Sequence, residues 1–402
     1  MRRAIALGKL LILATGLTWG GLSHADATDQ AKRIHDRIAG VPPDAATLIS
    51  MRDDINAGNP LDAALQATQA PEFYGVTLKN FAAPWTNRDS SVFVALDDYI
   101  ATIVGIVRDD VDFREILSGD ILYVGSGAGI PAYANNSNAH YEALEDQGAD
   151  LQAVLTQTTQ SAVTGLPSAA TAGVMTTRSA AKAYFVAGTN RAMFRFTMLN
   201  HLCRDMEQVH DVTRTPDRIR QDVSRSPGGD SRVFLNNCIG CHSGMDGMSQ
   251  AFAYYDYEHD ELNDPEGQNG QLNYNDVGQF DPQTGSRVEA KYYNNNLNFE
   301  HGFVTPDDSW INYWRDGQNK LLGWNESMPN TGSGAKSLGQ ELANSQAFAQ
   351  CQVEKVFENV CLRPPQDAAD RSQISSMVSS LTSNGYNLRR TFAESAVYCM
   401  GN

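Results

Sequence analysis

The sequence predicts a mainly α-helical protein with a short leader, a helical N-terminal domain, a second domain around a cysteine motif, and a C-terminal helical module. Three observations support this fold class. Apolar residues recur at helical spacing over much of the chain, Asp residues that can cap helices follow two Pro-Pro pairs, and one stretch without this spacing is rich in Tyr, Asn, Asp and Gly. With 402 residues, 42% of them hydrophobic, the chain suits two or three packed units.

The first 25 residues have the parts of a secretory signal peptide. A basic start precedes Leu10 to Trp19, an apolar region of about ten residues, and Ser23 and Ala25 suit a cleavage site. The apolar region is too short to span a bilayer, and an uncleaved anchor is the alternative. We expect a periplasmic or secreted protein after cleavage near Ala25, with no membrane span in the mature chain.

The charge balance argues against a nucleic-acid partner. The chain carries 31 Lys and Arg against 47 Asp and Glu, a formal net charge of −16. Such a surface repels phosphate backbones and suits a basic protein partner, although an acidic surface also simply keeps a protein soluble.

The N-terminal domain is predicted to be a series of helices over residues 26–226. Ala31 to Ile38 should form a helix that stops at Gly40, and Asp44 should cap the next one. Residues 90–118 form the longest periodic segment, and residues 176–206 predict further helix. The adjacent acidic pairs at 53–54, 97–98 and 109–110 are expected on solvated helix faces.

Residues 254–300 are expected to be extended loops, with a hairpin around Asp281 to Gly285. Their many Asp and Asn residues match no standard calcium loop, so solvated turns are the expected structure. Helix should return in the C-terminal module, over Leu338 to Val360, Asp367 to Leu381 and Leu388 to Cys399.

Two segments of the chain are similar to each other. Residues 33–46 and residues 355–369 each read as a helix, a Pro-Pro stop and a capped second helix. The similarity predicts a helical hairpin that is used twice.

One motif points directly to chemistry. Cys238, Cys241 and His242 form C-x-x-C-H, the signature of c-type haem attachment. Two thiols on one helical turn can each add to a vinyl group of the porphyrin, and the adjacent imidazole can ligate the iron. A redox dithiol would need a thioredoxin-like context, and a zinc site would need two further ligands at short spacing. The motif occurs once, so the sequence predicts one covalent haem c.

The haem motif defines the predicted domain boundaries. A Pro-Gly-Gly linker at 227–229 precedes it, which divides the chain into the N-terminal domain, a haem domain at 230–335 with the loop-rich insertion, and the C-terminal module at 336–402.

Met328 is the predicted sixth iron ligand, because it lies in a polar Met-Pro loop with no evident packing role. His259, His301 and an empty position are the alternatives. Met245 and Met248 lie too close to His242 in sequence to reach the opposite haem face. Aromatic residues after the motif should wall the haem mainly by packing, namely Phe252, Tyr254, Tyr255, Tyr257, Trp310, Trp314 and Trp324.

Four cysteines remain for disulfides. Cys351 and Cys361 lie ten residues apart in one predicted helix, about 15 Å along its axis, so they cannot pair unless the helix breaks. We predict Cys361–Cys399 and Cys203–Cys351, with free buried thiols as the alternative.

The chain resembles the planctomycete-type cytochrome c domain proteins. After Cys238 to His242 come Asp246, Gly247, Phe252 and Tyr255-Asp256, in the family's order of an Asp, a Gly, an aromatic and a further Asp. Segments 107–120, 173–177, 345–351 and 384–390 resemble its flanking helical modules. The long insertion at 258–300 and the Met-Pro loop depart from the family pattern.

Together these features predict an exported monohaem c-type cytochrome that transfers electrons through a covalently bound haem to or from a redox partner protein of basic charge. One alternative is a haem enzyme of peroxidase or oxygenase type with an open distal site. Another is a structural or assembly subunit that the haem stabilises.

Overall fold

The computed structural model describes residues 25–219, 232, 234–293 and 303–401. Helix accounts for 53% and strand for 6%, which confirms the mainly α class. The predicted leader up to residue 24, the linker at 227–229 and His301 lie outside the described residues.

The helices are α1 (Ala27–Ala39), α2 (Ala45–Asn56), α3 (Pro60–Ala67), α4 (Lys79–Ala82), α5 (Asp98–Arg108), α6 (Glu115–Ser118), α7 (Ala139–Asp146), α8 (Leu151–Val154), α9 (Gln160–Thr164), α10 (Arg178–Phe185), α11 (Asn190–Leu202), α12 (Ile239–Ser249), α13 (Gly334–Ala343), α14 (Gln346–Cys361), α15 (Ala368–Ser383) and α16 (Leu388–Cys399). The strands form three antiparallel pairs, β1 (Leu122–Val124) with β2 (Thr156–Thr158), β3 (Tyr255–Glu258) with β4 (Gln271–Tyr274), and β5 (Ser309–Ile311) with β6 (Thr331–Ser333).

The first two helices form as the sequence predicts. The backbone at Gly40 is left-handed, which ends α1, and the Asp44 side chain accepts a hydrogen bond from the Thr47 amide, which caps α2. Ile34 and Ile38 have no solvent exposure, so the apolar face of α1 is fully used in packing.

The C-terminal helices repeat this arrangement, which confirms the prediction that a helical hairpin is used twice. Leu362 takes the left-handed position after α14, and Asp367 caps α15. Helices α1–α3 pack on one another, as do α14–α16, and α3 packs against α16. Phe392 of α16 contacts the rings of Phe73 and Phe81, with centroids 5.1 and 5.2 Å apart. One continuous hydrophobic core therefore includes residues from both ends of the chain, while the predicted division into domains stays a prediction.

The prediction for Asp97 and Asp98 is wrong. Helix α5 begins only at Asp98, since Asp97 has an extended backbone and caps the helix through the Ile100 amide. The two side chains are 8% and 2% exposed rather than solvated. Asp98 is buried because its carboxylate accepts the Arg178 and Ser179 amides at the start of α10, at 2.7 and 3.1 Å.

The loop-rich segment contains a hairpin, but at a different place from the one predicted. Strands β3 and β4 pair from Tyr255–Tyr274 to Glu258–Gln271, whereas Asp281 to Gly285 is a turn without flanking strands. The buried Tyr255 and Tyr257 alternate along β3, and this period of two is the strand signal that was overlooked.

One further helix prediction differs from the structure. The segment predicted as one helix over Leu338 to Val360 breaks at Asn344, where Ser345 caps α14 by accepting the Phe348 amide.

Both predicted disulfides are confirmed. Cys203 pairs with Cys351 and Cys361 pairs with Cys399, with Cα atoms 5.3 and 5.5 Å apart. The first bridge ties the end of α11 to α14, and the second joins the ends of α14 and α16.

Within the described ranges, no helix combines the length and apolar character needed to cross a membrane.

Candidate haem-attachment site

The cysteine motif lies at the start of α12. Cys238 ends a short π-helical turn over Phe234–Cys238, and Cys241 and His242 lie in the first turn of the helix that follows. Side chains at positions i, i+3 and i+4 share one face of a helix, so the two thiols and the imidazole project from the same side. Both thiols are half-buried and outside the two disulfides, as haem attachment requires.

This face of α12 borders a cavity of about 410 Å³. Cys241, His242 and Met245 contribute from α12, and the opposite wall comes from α11 and the segment after it. The remaining lining residues are Arg191, Ala192, Arg195, Asp205, Met206 and Glu207.

The His242 ring is held by a buried carboxylate. Its Nδ1 lies 2.9 Å from Oδ1 of Asp246, one turn further along α12, and Asp246 is only 2% exposed. Arg191 donates to both carboxylate oxygens, from Nε to Oδ1 at 2.7 Å and from Nη2 to Oδ2 at 3.0 Å. Asp246, itself held by Arg191 of α11, therefore keeps the His242 ring on α12 in one orientation.

Ionisation of Asp246 determines which ring nitrogen faces a ligand. Burial works to raise the pKa of the Asp246 carboxyl, but the charge of Arg191 and the hydrogen bond from His242 outweigh it and hold the pKa well below its ordinary value. An ionised carboxylate only accepts hydrogen bonds, so His242 carries its proton on Nδ1. Nε2 is then the nitrogen that would ligate a metal, as in carboxylate–histidine–metal arrangements.

Two glycines let other side chains pack closely on α12. A Cβ at Gly240 would lie 2.4 Å from Nε2 of His210, and a Cβ at Gly244 would lie 1.9 Å from Nε1 of Trp314. Both glycines lie on the side of the helix away from Cys238 and His242. Close packing on that side anchors the helix and leaves the motif face to the cavity.

The thiol environment is unlike that of a redox cysteine. Burial raises the pKa of Cys241, and the negative charges of Glu207 and Asp205 add to this. Catalytic and redox cysteines instead need a depressed pKa. In the described part of the chain no group of three or more His, Cys, Asp or Glu side chains is arranged to hold a metal ion. The donor set of two thiols and one oriented imidazole fits covalent haem.

The residues considered as the sixth iron ligand lie in separate parts of the structure. Met328 is half-buried in the loop before β6 and is not among the side chains that line the cavity beside His242. Met245 does line this cavity, while Met248 is fully buried elsewhere. His259 is half-buried in the connection between β3 and β4. The assignment of Met328 stays a prediction.

Sequence analysis missed the partners of His242. Asp246 was noted only within the family pattern, although a carboxylate four residues after a histidine in a helix is a recognisable signal for contact. Arg191 could not be found this way, because it is 55 residues from Asp246 in sequence and meets it only through packing of α11 on α12.

No family model matches the chain, and no curated protein or solved structure is similar to it.

Proposed function

We propose that this protein is an exported monohaem c-type cytochrome, related to the planctomycete-type cytochrome c domain proteins, that transfers electrons through one covalently bound haem. One observation carries the proposal. Cys238, Cys241 and His242 follow one another at helical spacing at the start of α12, Cys241 and His242 line a cavity, and buried Asp246 orients the imidazole.

Each motif residue has a distinct role in this proposal. The thiols of Cys238 and Cys241 would hold the porphyrin by adding to its vinyl groups, and Nε2 of His242 would ligate the iron. When bound, the haem supplies the one-electron couple of its iron. Met206 and Met245 contribute apolar side chains to a cavity whose other lining residues are mainly charged. Asp246 accepts a hydrogen bond from Nδ1–H of His242, which would make the imidazole a stronger donor to the iron and favour its oxidised form.

Two features support the location and partner in the same proposal. The two disulfides fit an oxidising compartment, such as the periplasm or the extracellular space. The net charge of −16 would attract a redox partner of basic charge and speed its association at low salt.

A second function is favoured by the same histidine. A strongly donating His242 and a cavity that Met328 does not line suit a haem enzyme with an open distal site. Reaction with carbon monoxide separates the two functions. A six-coordinate iron that does not bind carbon monoxide indicates a carrier, and prompt binding indicates the enzyme.

Haem attachment itself is tested on the purified ferric protein. Acid-acetone extraction should leave the haem on the denatured chain, and His242→Ala should change the visible spectrum. His210→Ala is the matched control, because His210 also packs on α12 but outside the motif. Haem that is extracted from the denatured protein, or a His242→Ala spectrum identical to that of the parent, contradicts the proposal.

A further inference from the structure

A second and larger cavity lies apart from the haem motif. Its volume is about 820 Å³, and it shares no lining residue with the cavity beside His242. The segment that leads into α5, one face of α10 and the connection between β3 and β4 contribute to its lining. This volume is within the range of small-molecule sites, about 300–1,000 Å³.

Two cations on one face of α10 line this cavity. Arg178, which is 6% exposed, donates from Nε to Gly270 O at 2.9 Å and from Nη2 to Gln268 O. Lys182 donates to Oε1 of Gln268 at 2.5 Å. These acceptors are neutral oxygens, and in the described ranges neither cation forms an ion pair with a carboxylate.

Neither cation has a paired carboxylate among the described residues, since the buried Asp98 accepts the backbone amide of Arg178 rather than its guanidinium. Like charges four residues apart on a helix repel each other, and a buried guanidinium is costly unless a partner compensates it. The other charged side chains at this cavity, except for Asp97, are exposed at its rim, where solvent screens them. These rim residues are Arg88, Asp89, Glu142 and Glu266.

Asp97, the buried acid that lines this cavity, does not act as a counter-charge to the two cations. Asp97 is 8% exposed and uses Oδ1 to accept the Ile100 amide. Burial, together with the charge of Asp98, raises the pKa of Asp97 to about 7. Near neutral pH a large fraction of Asp97 is therefore protonated, and in this form it can donate a hydrogen bond to an anion rather than repel it.

Apolar side chains also line the cavity. They are Val94, Ala95, Ala183, Val186, Ala187 and Pro265. A ligand that matches this lining has an anionic group for the cations and a hydrocarbon body for the apolar side chains.

We propose that this cavity binds a small organic acid, with its carboxylate between Arg178 and Lys182 and its apolar body against Val186. The planar guanidinium of Arg178 suits a carboxylate, and Lys182 adds a second charge from the same face. The site is independent of the haem motif, and its test does not depend on whether the protein carries haem.

Isothermal titration of the purified full-length protein with phenylacetate tests the site. We expect saturable binding of one phenylacetate per chain. Phenylacetamide, which has the same shape without the charge, should bind at least tenfold more weakly, and inorganic phosphate, which lacks the apolar body, should also be weak.

Substitutions test whether phenylacetate binds in this cavity. Lys182→Gln should weaken phenylacetate binding at least tenfold, as should Arg178→Gln if that variant folds. Lys320→Gln is the matched control, because Lys320 is 65% exposed and outside the cavity. Absence of saturable phenylacetate binding overturns the proposal, as does equal binding of phenylacetamide or phosphate. Unchanged affinity in Lys182→Gln also overturns it.

Discussion

Helix α11 carries two arginines one turn apart. Each forms a bidentate ion pair with an aspartate, and the two pairs differ greatly in burial. Arg191 binds Asp246, with side chains 15% and 2% exposed, and Arg195 binds Asp205, with side chains 47% and 31% exposed. The two pairs have similar chemistry and lie on the same helix. They therefore provide a matched comparison of buried and exposed charge, in which the Asp246 pair also orients His242.

Replacement of each aspartate by alanine should have unequal effects. Asp246→Ala removes the carboxylate of a buried pair and should lower the free energy of unfolding by about 3–5 kcal/mol. Asp205→Ala removes an exposed pair that is worth about 1 kcal/mol or less. The expected difference between the two variants is therefore at least about 2 kcal/mol by these values.

Urea unfolding of the haem-loaded protein, followed by far-UV circular dichroism, measures this difference. The dependence of the unfolding free energy on urea should be the same in both variants, so that the midpoints can be compared directly. Asp246→Asn, which keeps an oxygen acceptor for Nδ1 but removes the charge, should raise the reduction potential of the iron. Equal losses of stability in Asp246→Ala and Asp205→Ala would refute the assignment of Asp246 as a buried anchor of α12.

Three further predictions follow from other parts of the fold. The pKa of Asp97 is raised, so its contribution to stability is complete below pH 3.8 and is lost as pH rises through about 7. Asp97→Asn should therefore stabilise the protein by at most about 4 kcal/mol at pH 8 and by less at pH 5. Equal thermal shifts at the two pH values would contradict this prediction. Met328→Ala should abolish the weak near-red charge-transfer band of a sulfur-ligated ferric haem and lower the potential, and loss of the band in Met245→Ala instead would move the assignment. Replacement of Cys361 and Cys399 together by alanine should cost roughly 2–4 kcal/mol, and an unchanged melting temperature under non-reducing conditions would show that the bridge adds no stability.

Local signals account for what the sequence predicted well. Caps and stops near Gly40 and Asp44 depend on residues within one turn, and so the bounds of α1 and α2 were predictable. The disulfides were also predictable, because the length of α14 separates Cys351 from Cys361 and leaves few pairings. The motif residues likewise occupy one helical turn, so their common face followed from their spacing alone.

Long-range contacts account for what was missed. Asp97 and Asp98 look like surface residues until α10, eighty residues later, is packed against them. Arg191 and Asp246 similarly meet only through tertiary packing. The second cavity joins residues from the segment before α5, from α10 and from the β3–β4 connection, and no local pattern marks it.

The contact between the first and last helices has a consequence for the order of folding. Gln30 of α1 donates to the Gly401 carbonyl at 2.9 Å, and Phe392 of α16 fills the space beside Phe73 and Phe81. During synthesis the packing of α1 and of the segment that carries Phe73 and Phe81 therefore cannot be completed until α16 has formed, and contacts between such distant segments slow folding. A nascent chain that ends before Leu388 leaves the aromatic surface of its first helices open to proteases and to aggregation.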